Sequence, residues 1–136
     1  MNARKRRGQR GMTLIEIMVV VIIIGLVGTA VAVNVFRNLA EAKVKTAKSD
    51  LAKISEAVDT YKVLRGRFPS TEEGLGLLLQ EKLLKPNKDG KVKDPWDREY
   101  IYLSPGQAHA DAYDVKSYGA DGAPGGEGEN ADLVNN

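Results

Sequence analysis

The stretch Gly11 to Phe36 reads GMTLIEIMVVVIIIGLVGTAVAVNVF, and it decides the architecture. From Ile17 to Phe36 no residue is charged, and 20 residues in helical form span about 30 Å, one hydrocarbon thickness. Five cations (Arg4, Lys5, Arg6, Arg7, Arg10) precede it and no comparable cluster follows directly. The positive-inside tendency then predicts a single pass with the N-terminus cytoplasmic and the C-terminal part outside. A cleaved secretory signal is the alternative, since Gly28-Thr29-Ala30 and Ala30-Val31-Ala32 supply small residues late in the run. The run is, however, a full span rather than a short apolar core. Glu16 also stands at its cytoplasmic end, where an ionisable group is expensive without a partner.

Beyond the span, Ala40, Val44, Ala47, Leu51, Ile54, Val58 and Tyr61 recur at alternating steps of four and three. That is one apolar stripe on a helix, with Glu41, Lys43, Lys45, Lys48, Asp50, Lys53, Glu56 and Asp59 on the solvated side. No Pro interrupts Thr13 to Leu64, so one helix of about 52 residues, about 78 Å, is predicted, half in lipid and half backing a soluble domain. Arg65-Gly66-Arg67-Phe68-Pro69 ends it. Ser70 and Glu73 then form a capping-box pattern opening a short second helix through Leu84, with Leu75, Leu78, Leu79 and Leu83 as its buried face. Asp89-Gly90 and Asp94-Pro95 mark turns, and Trp96, the only Trp, is placed as an anchor for that loop. Tyr100–Leu103 and Tyr113–Tyr118 read as strands. The expected fold class is α+β: a long N-terminal helix packed on a small antiparallel sheet with a short second helix.

Composition narrows the chemistry. The 136 residues carry 20 Lys plus Arg against 18 Asp plus Glu, a net +2. Residues 1–11 hold five of those cations and no acid, so the other 125 residues carry 15 cations and 18 anions, a net −3. The basicity therefore belongs to the N-terminus and argues against nucleic acid as a partner. Without Cys there are no disulfides, thiolate metal sites or Cys nucleophiles. The single His109 lies in a polar run and is read as a solvated surface residue. No catalytic constellation is visible, and the chain is read as non-enzymatic.

The string Arg10-Gly11-Met12-Thr13-Leu14-Ile15-Glu16-Ile17 resembles the class III signal of type IV prepilins and pseudopilins. The resemblance implies cleavage by a prepilin peptidase between Gly11 and Met12, N-methylation of Met12, and retention of the apolar helix. It assigns Glu16 to assembly, pairing with the N-terminal ammonium of a neighbouring subunit. The implied division is a leader over 1–11, a transmembrane and assembly half over 12–36, and a periplasmic pilin-like domain over 37–136. Met12 stands where the family usually has Phe, and Val33 where it commonly has Pro. Gly25 and Gly28 are left as candidate points of unwinding.

The segments Phe68–Leu75, Asp94-Pro95-Trp96, Tyr102–Gly106 and Ser117–Gly122 are similar to the major pseudopilins of type II secretion systems. That likeness implies a homopolymer, a periplasmic filament anchored in the bacterial inner membrane that drives export of folded proteins across the outer membrane. Minor pseudopilins and the inner-membrane assembly platform are implied as partners. A type IV pilus subunit for adhesion or motility, and a signal-anchored periplasmic binding module, are the alternatives.

Residues 119–132, GADGAPGGEGENAD, combine five Gly with Asp121, Glu127, Glu129 and Asp132. On composition this is a flexible acidic loop without EF-hand spacing, although hard oxygens on a Gly-rich backbone are what calcium requires. The resemblance implies a structural calcium here. Its implied ligands are the side chains of Asp121 and Asp132, the Asn130 amide oxygen, and carbonyls near Ser117 and Tyr118. Glu127 and Glu129 are expected to be solvated. The family's closing aromatic is missing from Leu133-Val134-Asn135-Asn136, which leaves the packing of the last residues open.

Overall fold

The computed structural model describes residues 11–135. Apart from Gly11, the basic leader expected over 1–11 lies outside the described residues. Helix α1 runs from Leu14 to Arg65. It continues through Gly25 and Gly28 without a break, because nothing there removes a backbone donor. The Thr29 hydroxyl donates to the Gly25 carbonyl at 2.9 Å, a back-bond compatible with the helix.

Residues 11–38 and 39–136 are two separate compact units. In the first, the large apolar side chains from Met12 to Phe36 are all exposed. In the second, the four-three stripe forms the core as expected. Ala47, Leu51, Ile54, Val58 and Tyr61 are buried together, joined by Ala57 from the same face. Ala40 and Val44 are half-buried.

Gly66 ends α1 at φ 74°, its N–H donating to the Lys62 carbonyl at 2.7 Å. The Ser70/Glu73 box forms as predicted: Ser70 N–H donates to Glu73 Oε2 at 2.8 Å and Glu73 N–H to Ser70 Oγ at 3.2 Å. The box closes a turn rather than starting the helix, and α2 spans only Gly74–Gln80. It stops four residues short of the predicted Leu84 because Lys82 adopts φ 58°, a left-handed stop. Leu75 and Leu78 are buried, with Leu79 and Leu83 half-buried.

Strands β1 (Ile101–Leu103), β2 (Asp114–Ser117) and β3 (Leu133–Val134) form an antiparallel sheet in that order. Tyr102 pairs with Val115, and Ser117 with Leu133. Tyr102 and Val115 join the buried helix residues, so the sheet and the 47–61 stripe share one core. Trp96 packs against that core, half-buried, as its anchoring role requires.

β3 is the element that the sequence reading missed. The Asn135 amide does the work expected of a terminal aromatic. Its Oδ1 accepts the Val115 N–H at 2.7 Å, its Nδ2 donates to the Tyr113 carbonyl at 3.4 Å, and the Asn135 main-chain N–H donates to the Val115 carbonyl at 3.0 Å. His109 also differs from expectation. Its side chain is 40% exposed rather than fully solvated, and Nδ1 donates to Asp114 Oδ1 at 2.8 Å.

Candidate functional site

Two regions carry the predicted functional residues. At the start of α1, Gly11 and Met12 are exposed, Met12 at 70%. Thr13 and Glu16 make a reciprocal capping pair. The Thr13 N–H donates to Glu16 Oε2 at 3.3 Å, and the Glu16 N–H donates to Thr13 Oγ1 at 3.4 Å. Glu16 thus has a local role that the sequence reading did not assign: it holds the first turn of its own helix. A carboxylate there also faces the positive end of the helix dipole. Both bonds are long and exposed, so the carboxylate remains accessible to a cation.

The other region is the loop from Gly119 to Asp132. Its two arms are brought together by the Ala120 N–H, which donates to the Glu129 carbonyl at 2.8 Å. Gly119 sits at φ 63°, and a Cβ there would lie 2.6 Å from the Glu129 carbonyl oxygen, so a side chain would force the arms apart. Gly128–Asn130 form a short 3-10 turn capped by Glu127, whose carbonyl accepts the Asn130 N–H at 3.1 Å.

The predicted cation ligands are placed as follows. Asp121 is exposed, and its Oδ1 accepts the Ala123 N–H at 3.1 Å. Asp132 is exposed, and its Oδ2 accepts the Gly125 N–H at 3.0 Å. Each carboxylate uses one oxygen within the loop and keeps the other for a further partner. Asn130 is half-buried, and the Tyr118 carbonyl accepts the Gly122 N–H at 3.2 Å. Ser117 is buried, and its hydroxyl donates to Asp94 Oδ2 at 2.6 Å, so its carbonyl rather than its Oγ is the group left for a cation. Glu127 and Glu129 are exposed, as expected.

Among the described residues, no three acidic or His side chains are gathered tightly enough to hold a metal on their own. The donor set nevertheless fits calcium in kind: carboxylates, an amide and carbonyls, all hard oxygens on a turn-rich backbone. Two residues outside the motif also reach this loop. Asp94 is buried and fixes Ser117. Arg98 donates to the carbonyls of Gly119 and Ala120 at 2.7 and 2.9 Å. Neither is visible in sequence, since the contacts join residues more than twenty positions apart.

The most strongly perturbed buried acid lies elsewhere. Asp114, fully buried, is penalised by burial, yet N–H donation from Ala108, the His109 ring, and N–H donation from Gln107 and His109 outweigh that and hold its pKa down at about 2. This is a structural carboxylate that closes the 104–114 connection onto β2.

The family model described as type II secretion system (T2SS), protein G matches residues 34–136, and the prokaryotic N-terminal methylation motif matches residues 6–32. The chain belongs to the type II secretion system protein G family. It is similar to the type II secretion system core protein G of Pseudomonas aeruginosa, at 42% identity over 96% of this chain and 97% of that protein. The corresponding protein of Vibrio cholerae is 36% identical, over 97% of this chain and 94% of its own length. Among solved structures, the major pseudopilin from the type 2 secretion system of enterohaemorrhagic Escherichia coli superposes with a TM-score of 0.54. It is 32% identical and covers 75% of this chain and 93% of its own. As a member of this family the chain is a structural pseudopilus subunit of type II secretion. The methylation motif and the apolar, exposed helix are consistent with a membrane-anchored subunit.

Proposed function

We propose that this chain is stored in the bacterial inner membrane as a single-pass protein with a cytoplasmic N-terminus. It is cut between Gly11 and Met12 by a prepilin peptidase, methylated on Met12, and polymerised through the N-terminal half of α1. The resulting periplasmic homopolymer, built with minor pseudopilins on an inner-membrane assembly platform, drives folded proteins across the outer membrane. Its role is mechanical rather than enzymatic.

The observation that carries this reading is the apolar surface of residues 12–36. Leu14, Ile15, Leu26 and Phe36 are each about 70–80% exposed. At roughly 25 cal/mol per Å2 of apolar area, such a surface is not stable in water. Lipid covers it before assembly, and neighbouring copies of the same helix cover it afterwards. Glu16 is then a switchable contact. Within one subunit it caps Thr13, and in the filament it neutralises the methylated ammonium of the next Met12.

Calcium is the proposed cofactor. Asp121, Asp132, the Asn130 amide oxygen and the carbonyls near Ser117 and Tyr118 would hold it. The ion would supply positive charge that ties the exposed loop between β2 and β3.

The test of assembly is Glu16→Gln in a secreting cell. The variant is expected to insert in the membrane at parental levels and to yield no filaments and no secretion. Normal filaments from the Gln variant would remove Glu16 from assembly.

A further inference from the structure

The turn from Asp94 to Arg98 is locked to itself and to β2. The Arg98 N–H donates to Asp94 Oδ1 at 2.9 Å, and the Asp94 N–H donates to the Arg98 carbonyl at 2.7 Å. The other Asp94 oxygen receives the Ser117 hydroxyl. Arg98 therefore projects from a backbone fixed against the last residue of β2, two residues before the Gly-rich loop.

Its guanidinium is used in an unusual way. It forms no ion pair among the described residues. Instead Nη1 is shared by two successive carbonyls, Gly119 and Ala120. Gly122 completes the fit: at φ 68° it favours glycine on backbone grounds, and a Cβ there would lie 2.6 Å from Arg98 Nε and 2.7 Å from Cζ. One cation is thus lodged against the turn that presents Asp121.

We propose that Arg98 is the positioning residue of the Gly119–Asp132 loop, a tethered cation that gathers the Gly119 and Ala120 carbonyls and closes the loop's first turn without any metal. Arginine suits this because it stays charged at every relevant pH and offers several N–H donors in a rigid plane. Gly119–Gly122 is costly to order, since two of its four residues are glycine, which loses the most freedom on folding. With that turn already closed, a free cation needs to organise only the second arm, 127–132. This last step rests on the calcium reading; the clasp itself does not.

The test is amide hydrogen exchange on the full chain in detergent micelles, with a chelator present, for the parent, Arg98→Gln and Arg98→Lys. The reporting amides are Ala120, bonded to Glu129 O, and Gly122, bonded to Tyr118 O. Both are expected to exchange about tenfold faster in Arg98→Gln, the loss of about one charge-assisted bond, and by less in Arg98→Lys. The Val115 amide, bonded to Asn135, should keep its parental rate. Parental exchange at Ala120 in the Gln variant overturns the proposal. So does acceleration shared equally by Val115, because Arg98 would then be holding the fold rather than the loop. Calcium added to Arg98→Gln is expected to slow Ala120 again. If calcium changes nothing in either protein, the calcium reading fails while the chelated comparison still decides the clasp.

Discussion

His109 Nδ1 lies 2.8 Å from Oδ1 of Asp114, the one fully buried carboxylate of the described chain. The same carboxylate accepts main-chain N–H groups from Gln107, Ala108 and His109 at 2.6, 2.7 and 3.1 Å. Four donors converge on one acid, which lets it stay ionised in a place where burial alone would neutralise it.

Acid stability follows from that arrangement. The folded Asp114 titrates at about 2 against an ordinary 3.8. A depressed folded pKa stabilises the fold above the unfolded value, and the contribution is lost as pH falls from about 4 through 2. It amounts to about 2 kcal/mol, less what solvent screening removes at the half-exposed imidazole. A soluble fragment from residue 37 should show its thermal midpoint falling over that pH window. In Asp114→Asn the midpoint at neutral pH should be lower and the acid dependence flatter. An unchanged acid profile in the Asn variant would assign the stability to other acids.

Asn135 tests the terminal anchor. Its side chain satisfies the buried Val115 N–H at 2.7 Å. Asn135→Ala leaves that donor without a partner, a cost of about 1–3 kcal/mol. Denaturant unfolding of the same fragment should show a lower midpoint with an unchanged slope. Parental stability would mean that β3 is held by its main-chain pairing and Leu133 without the Asn135 side chain.

These two acceptors also show where sequence reading stops. The helix was legible because its stripe repeats over many turns, and each of Ala47, Leu51, Ile54, Val58 and Tyr61 lies where the period puts it. Strands β1 and β2 carry aromatic and β-branched residues between turn signals, so they were legible to within a residue. β3 has two residues and is a strand only because β2 lies beside it. Asp114 reads as an ordinary polar position in an alternating strand, and nothing nearby announces four donors returning from the preceding loop. The leader motif and Glu16 were legible as a linear pattern. The Arg98 contacts were not, because they depend on two loops meeting across 21 and 22 residues.

Processing yields a prediction independent of stability. Intact mass of the protein purified from its own membrane should correspond to a chain beginning at Met12 with one added methyl group. Met12 is exposed and the helix starts two residues later, so the Gly11–Met12 bond lies in accessible backbone outside the helix. Retention of the basic leader, or a start after Ala32, would contradict the proposed processing.

Calcium binding has its own signature. Asp121 and Asp132 each hold one loop N–H with one oxygen, which leaves the second open to the proposed ion. Calcium should therefore raise the thermal midpoint of the residue-37 fragment, by an increment that grows with the logarithm of free ion once the site is saturated. Asp121→Ala should abolish the rise and leave the stability in chelator within about 0.5 kcal/mol of the parent, because its exposed carboxylate makes only a local bond. Asn130→Asp adds a charged oxygen beside the same loop and should shift the titration to lower calcium. A midpoint indifferent to calcium and chelator in all three proteins would leave the loop tied by its own hydrogen bonds and remove the ion from the proposal.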